Sequence, residues 1–240
     1  MYKFLAFLFL SIPMLTNAQG PQTTTIKPVE LPRSRDHFLI QVSSDRWLGA
    51  PDSINSRIKS TSRGLNVYVM LDKPFSGSPK WSVGFGLGVG TSHVFFSNLE
   101  ADINGTNRTL VFRQMDTTNR FDKYKISTVH AEIPIELRFC SNPKLPSKSF
   151  KFAIGAKVGT LLSASSKGKT LENSAGQALQ DYTQKIKSRN YFNTTRLAAT
   201  ARIGYGNFSL YGSYNITGVF KDNLAADMKL LQIGLTLSGL

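Results

Sequence analysis

Residues 196–216, RLAATARIGYGNFSLYGSYNI, separate into two faces when every second position is read. One face of the first half is apolar, and the other carries Arg196 and Arg202. The alternation resumes after Asn207 with Phe208 and Leu210 on the apolar face. A period of two predicts β-strands, and the GYGN segment predicts a hairpin turn. The arginines must face either the water around a soluble sheet or the interior of a barrel surrounded by lipid.

The same alternation recurs six more times along the chain. Together with the hairpin it gives eight strands, each near the ten or so residues that a tilted strand needs to cross a bilayer. An open sheet edge in hydrocarbon would leave backbone groups without partners, so the sheet should close. We therefore predict an all-β fold, an eight-stranded antiparallel up-and-down transmembrane β-barrel. The six further segments are 38–45, 64–71, 83–90, 129–139, 151–159 and 231–238.

The connections between these segments alternate between short and long. Short turns are predicted at 72–79, 140–148 and 204–207. Outer-membrane barrels have short periplasmic turns and long outer loops, so this asymmetry favours that class over a soluble sandwich. An even strand count also places both chain ends on the periplasmic side. The longer, mostly polar connections are 47–61, 92–124, 163–191 and 217–227.

Aromatic residues concentrate near the strand ends, where we expect two lipid-facing belts at the membrane interfaces. The rival interpretation is a lipocalin-like soluble barrel, which reverses the two faces and encloses an apolar ligand. The belt at the short turns would contain Phe38, Phe75, Trp81, Phe139, Phe150, Tyr205 and Phe208. The belt at the long loops would contain Trp47, Phe95, Phe96, Tyr124, Phe192 and Phe220.

The interior face carries charges of both signs. An eight-stranded barrel is narrow enough for side chains to fill it, and unpaired charges there would be costly. The glycines of GFGLGVG, residues 84–90, would leave room for long side chains from opposite strands. We predict an ion-pair network that blocks the lumen; the alternative is a wet interior with separately solvated charges. The predicted members are Asp45, Glu132, Glu136, Arg138, Lys151, Lys157, Arg196 and Arg202.

The N-terminus predicts export. Lys3 precedes an apolar run, and small residues follow at Thr16 and Ala18, the pattern of a signal peptide cleaved near Ala18. The sequence thus divides into a signal peptide at 1–18, a flexible periplasmic lead-in at 19–35 and an outer-membrane barrel domain at 36–240. The predicted location is the bacterial outer membrane.

The chain carries a formal charge of +14, and export makes nucleic acid an improbable partner. Outer-membrane lipid, including lipopolysaccharide phosphates, is the better candidate. The most basic predicted outer loop supplies a candidate anion-binding set, although a mobile, solvated loop explains the same residues. One cysteine, Cys140, and three histidines predict neither a disulfide framework nor a metal or other cofactor. The candidate set is Lys167, Lys169, Lys185, Lys187 and Arg189.

Several blocks resemble the outer-membrane β-barrel proteins of Bacteroidota that are grouped with PorT-like barrels. They are LRFCSNP (137–143), IGAKVGTLL (154–162), TRLAATARIGYGNFSLYGSY (195–214), DRWLGAP (45–51) and SRGLNVYVMLD (62–72). The resemblance covers nearly all of the mature chain and implies an outer-membrane barrel. It also implies, by analogy with PorT, a role in protein secretion, although no motif carries that role.

Catalytic chemistry finds little support in the sequence. His93 adjoins Ser92 near the predicted outer rim, but adjacent strand residues point to opposite faces. We expect a non-enzymatic envelope protein with a structural or accessory role, acting alone or within an envelope protein complex. The alternatives are a transport or secretion component and, less favoured, an enzyme that modifies lipid A or peptides.

Overall fold

The computed structural model describes residues 38–115, 120–172 and 177–239. The predicted signal peptide and lead-in lie outside these residues. The main elements are β1 (Phe38–Leu48), α1 (Asp52–Asn55), β2 (Arg63–Phe75), β3 (Ser78–Phe96), β4 (Leu99–Ala101), β5 (Phe112–Gln114), β6 (Arg120–Cys140), a one-turn 3₁₀ helix (Pro146–Lys148), β7 (Phe150–Glu172), β8 (Ala178–Lys187), β9 (Thr195–Tyr205), β10 (Phe208–Asn215) and β11 (Lys229–Ser238). Among the described residues, no helix is both long and apolar enough to cross a bilayer.

Eight of the strands close into a barrel. The order is β1-β2-β3-β6-β7-β9-β10-β11, and β11 pairs back with β1. Every pairing is antiparallel and joins neighbours along the chain, which is the up-and-down topology. The predicted fold is therefore confirmed. The end that holds the Phe75–Ser78, Cys140–Phe150 and Tyr205–Phe208 connections is called the short-turn end, and the opposite end the loop end.

The wall is taller on one side than the sequence pattern predicts. Strands β6 and β7 pair from the short-turn end up to Arg120 and Glu172, and β8 continues the sheet beside β7. The predicted loop at 163–191 is therefore mostly a β-hairpin. The segment SASSKGKT, residues 163–170, is polar at most positions, so it lacks the apolar alternation by which strands were recognised. The short strand β5 pairs with β4 in a separate two-stranded sheet.

The two faces of the wall have opposite character, as predicted. Outward residues are aliphatic and exposed, with Leu87 at 65% and Leu235 at 62% of full exposure. Inward residues include buried carboxylates, lysines and arginines. The lipocalin-like alternative requires the reverse arrangement and is wrong, because its lumen would be apolar. All seven aromatic residues of the predicted short-turn belt are exposed or half-buried on the outward face.

The seam between β11 and β1 joins the two ends of the barrel domain. Gly234 lies opposite Ser43 in this seam. A Cβ atom on Gly234 would collide with the backbone carbonyl of Val42 and the Cα of Ser43. Gly212, in neighbouring β10, has no other atom within 4 Å of the position its Cβ would take. The seam therefore requires glycine at 234, whereas β10 does not require it at 212.

We predict that Gly234→Ala destabilises the barrel by about 3 kcal/mol, because the clash is with backbone that cannot rotate away. Gly212→Ala should change the free energy of unfolding by no more than about 1 kcal/mol, since its methyl group enters open space. Urea unfolding of both variants in the same lipid vesicles measures the difference. Equal stability of the two variants would show that the seam tolerates a methyl group.

Candidate functional site

The lumen near the short-turn end holds an ionic layer around Glu136. Its Oε2 accepts hydrogen bonds from Arg138 Nε at 2.9 Å and from Arg202 Nη2 at 2.9 Å. Arg138 Nη1 also lies 3.5 Å from Asp72 Oδ1, which accepts a hydrogen bond from Ser82. The charged side chains of this layer are 5–6% exposed. Three strands, β2, β6 and β9, therefore contribute one compact set of two carboxylates and two guanidinium groups.

A second ionic layer lies around Glu132, four residues from Glu136 along β6 and further from the short-turn end. Arg196 Nη1 donates to Glu132 Oε1 at 2.7 Å, and Lys157 Nζ lies 3.4 Å from Oε2. The Tyr68 hydroxyl also donates to Oε2. Lys157 reaches across to the Tyr211 hydroxyl at 3.1 Å. Because Glu132 and Lys157 are almost completely buried, each charge is neutralised locally rather than by water.

Asp45 occupies the next level, toward the loop end. It accepts hydrogen bonds from Ser43, Ser92 and the Gln232 amide. Arg196, which also donates to Gln232 Oε1 at 3.0 Å, links this group to the Glu132 layer. The eighth predicted member, Lys151, is buried on the lumen face of β7. All eight predicted residues thus line one lumen, and neutral amides and hydroxyls join their layers.

Glycines of β3 and β7 make space for these layers. A Cβ atom on Gly84 would collide with the Arg138 side chain. One on Gly90 would come within 2.7 Å of the Glu132 carboxylate, and one on Gly159 within 2.9 Å of its Cγ. The β3 glycines were predicted to leave room for long side chains from opposite strands, whereas the side chains that approach Gly84 and Gly90 belong to the neighbouring strand β6.

Above the ionic layers the lumen contains a small cavity. Its volume is about 20 Å³, which is room for about one water molecule. The lining includes the polar residues Arg196, Asn215, Thr128 and His130, together with apolar residues nearer the loop end. His130 is buried here, in keeping with an interior polar group rather than an exposed base.

An apolar cap closes the loop end. Trp47, Phe96 and Phe220 are buried against one another, with Trp47 ring centroids 5.4 Å and 5.3 Å from the two phenylalanines. Tyr124 and Phe192 join the same cluster. The predicted lipid-facing belt at the loop end is therefore wrong for these five residues, and only Phe95 lies on the outward face. The loops fold over the mouth and supply apolar partners such as Ile54, Leu99, Ile103 and Leu110.

Hydrogen bonds fix the loops to this cap. The Tyr124 hydroxyl donates to the Ala101 carbonyl at 2.9 Å and accepts from the Ala101 amide at 3.0 Å. The Tyr191 hydroxyl lies 2.8 Å from the Gly105 carbonyl. In the two-stranded sheet of β4 and β5, burial raises the pKa of Glu100 above its ordinary value, and the negative charge of Asp102 raises it further. The loops are thus packed and bonded in place over the mouth.

The five candidate anion-binding residues lie on the β7–β8 hairpin and just after it. Lys167 lies directly opposite Lys185. Lys169 and Lys187 are exposed on the same hairpin. Arg189 instead turns back, with its Nη1 3.4 Å from the Leu161 carbonyl. A regular strand pair therefore holds four of these cations, where the sequence indicated a loop.

The His93–Ser92 pair does not form a catalytic arrangement. Ser92 faces the lumen and donates to Asp45, whereas His93 faces outward with Nδ1 2.9 Å from Ser127 Oγ. Among the described residues, no group of three or more histidine, cysteine, aspartate or glutamate side chains is arranged to hold a metal ion. Cys140 is a buried free thiol.

Sequence reasoning missed several lumen residues. Asp72 pairs with Arg138, although it lies in a segment predicted as a turn. Tyr68, Tyr211 and Gln232 accept hydrogen bonds from Lys157 but carry no charge that would mark them. Alternation did place Tyr68, Tyr211 and Gln232 on the polar face, and that was the available signal.

We predict that Glu132→Gln lowers the free energy of unfolding by about 3–5 kcal/mol, because Arg196 and Lys157 lose their buried counter-charge. The matched control is Asp222→Asn, which neutralises an exposed carboxylate at the loop end. Urea unfolding in lipid vesicles compares the two. A Glu132→Gln effect as small as the control would show a wet lumen in which each charge is solvated separately.

The two tryptophans provide a test of the cap. Trp81 is exposed on the outward face, and Trp47 is 2% exposed inside the mouth. We predict that brominated lipids quench the fluorescence of a Trp47→Phe variant, which keeps Trp81, and leave a Trp81→Phe variant largely unquenched. Strong quenching of the Trp81→Phe variant, which keeps Trp47, would show that Trp47 faces lipid as the sequence predicted.

Comparison with known structures aligns this chain with structures of one other protein. Two crystal structures of Ail, the attachment invasion locus protein of Yersinia pestis, each share 15% identity and align over 85% of this chain and 96% of that chain. Their TM-scores are 0.37, for the complex with the heparin analogue sucrose octasulfate, and 0.36. No curated protein sequence matches the chain significantly.

The family match is broader. Residues 35–221, well over half of the chain, match the family described as outer membrane protein beta-barrel domain. That range includes seven of the eight barrel strands, from β1 to β10. The closed sheet, the apolar outward face and this match agree, and the chain belongs to the outer membrane protein beta-barrel domain family.

Proposed function

We propose that this protein is a non-enzymatic outer-membrane barrel with a structural or accessory role in the cell envelope, and that its lumen does not conduct. The observation that carries the proposal is the filling of the lumen. Ionic layers around Glu136 and Glu132 occupy the part of the lumen nearer the short-turn end, and the apolar cap closes the loop end. An ion that crossed would have to displace paired charges and then open a packed aromatic cluster.

The arrangement of hydroxyls and bases supports a non-enzymatic role. A nucleophile needs a base within hydrogen-bond reach. Ser92 and His93 point to opposite sides of the wall, and Ser127, the partner of His93, faces outward beside it. Their geometry supplies no carboxylate to orient the histidine.

A role as accessory to a secretion or other envelope complex is the second candidate, in line with the resemblance to PorT-like barrels. The observation that favours it is the β7–β8 hairpin, which extends the wall past the barrel and carries several exposed basic residues. Gentle-detergent purification of the tagged protein followed by mass spectrometry tests this role. A stoichiometric partner supports it, and a barrel that purifies alone argues for a self-contained envelope protein.

We predict that the folded protein gives no steady conductance in planar bilayers. The double variant Trp47→Ala, Phe96→Ala opens the cap alone and should also stay closed, because the Glu132 and Glu136 layers remain beneath it. Strand content and heat-modifiable gel migration verify that each sample is folded. Steady conductance of the unaltered protein would favour a transport role.

A further inference from the structure

The outward wall changes from aliphatic to basic at one level near the loop end. On β2 the outward series Val69, Val67 and Leu65 is followed by Arg63. On β6, Val129 gives way to Ser127 and then Lys125. Strand alternation keeps all of these residues on the side of the wall that faces away from the lumen.

Strand register brings four cations together at this level. Arg63 lies opposite His93, and Lys125 lies opposite both Phe95 and Lys167. Lys167 in turn lies opposite Lys185. We call Arg63, Lys125, Lys167 and Lys185 the basic row. It crosses β2, β6, β7 and β8, so no single segment of the sequence contains it.

The Phe95 ring lies between two members of the basic row, Arg63 and Lys125. The Arg63 Cζ atom lies 5.7 Å from the centre of the Phe95 ring, and the Lys125 Nζ atom lies 5.4 Å from it. Lys125 also lies within electrostatic range of Lys167 and Lys185. The ring attracts both cations, so it holds them in place without a carboxylate partner.

Among the ion pairs between the side chains that the structure describes, none includes a member of the basic row. The ion pairs found there involve other cations, in the lumen and at exposed sites. Neighbouring like charges repel one another, so an external anion that bridges them would relieve this repulsion. Ser127, which pairs with His93 Nδ1 at 2.9 Å, lies on the outward face beside the row and opposite Ser165.

We propose that the basic row binds the phosphate groups of a phosphorylated lipid in the outer leaflet. The aliphatic wall directly below, including Leu65, Val89 and Leu162, would contact the acyl chains of the same lipid. The row meets the phosphates at the depth where the hydrocarbon ends, where anionic headgroups attract basic side chains. The inference rests on the placement of the barrel in the outer membrane and not on its closed lumen.

The position of the row separates this ligand from other anions. A free phosphate or a soluble sulfated glycan would gain nothing from the aliphatic wall, whereas a lipid uses both surfaces at once. The four candidate cations of the hairpin divide accordingly. Lys167 and Lys185 belong to the row, Lys187 lies opposite Ser165, and Lys169 lies further along the hairpin, opposite Thr183.

The test measures lipid binding to the full barrel domain in phosphatidylcholine nanodiscs by native mass spectrometry. Diphosphoryl lipid A is compared with dephosphorylated lipid A of the same acyl chains, and inorganic phosphate and heparin serve as soluble anions. Lys125→Gln, Lys167→Gln should weaken binding of diphosphoryl lipid A about 30-fold, from about 1 kcal/mol for each basic contact near the surface. The control Arg108→Gln, Lys221→Gln removes the same charge from exposed loop residues and should keep the affinity of the unaltered protein.

Three outcomes would overturn the proposal. They are equal affinity for the two forms of lipid A, an equal loss in the row and control variants, and binding through the row of heparin or inorganic phosphate alone. Heat-modifiable migration verifies folding, and Arg63→Gln, Lys185→Gln supplies a second row variant if the first does not fold. Conductance of the same samples reports on the closed lumen separately, so either conclusion can fail without the other.

Discussion

The closure of the backbone hydrogen-bond ladder is the constraint on which the rest of the structure depends. In hydrocarbon each unpaired N–H or C=O group costs several kcal/mol, so a spanning sheet must have no free edge. The pairing of β11 with β1 removes that edge. Closure with eight strands then makes the lumen so narrow that side chains fill it. Each inward side chain must therefore fit against those of the other strands.

The narrow lumen explains why polar and apolar residues are stacked in order along its axis. Arginine and lysine are long enough to reach across the barrel, and on β3 Gly84 leaves room for Arg138 and Gly90 for Glu132. Glu132 then pairs with Arg196 and Lys157, and Glu136 pairs with Arg138 and Arg202. Toward the mouth the same inward positions become apolar, with Val94 and Phe96 continuing the β3 series above Ser92. The loops can therefore seal the mouth by burial, without further charge.

Alternation in the sequence was enough to predict the strands, their faces and the charged lumen, because a period of two is preserved wherever one face meets lipid. The same reasoning failed where both faces of a strand are polar, as along SASSKGKT, and the hairpin was interpreted as a loop. It also failed for Trp47 and Phe220, since an aromatic residue at a strand end can turn outward to headgroups or inward to a cap. Only the paths of the loops decide between these two positions. Alternation within a segment does not predict the basic row, because its members come together by register across four strands.

The cap has a consequence for how the protein reaches its final state. Its members come from several loops that are far apart in sequence, including Ile54, Leu110 and Phe220. In the orientation typical of such barrels these loops lie on the outer side of the membrane, so each must first be carried across the bilayer. The free energy of burying the cap is therefore released only after translocation. The cap then acts as a latch, because withdrawing any one loop would expose the aromatic cluster that the others share.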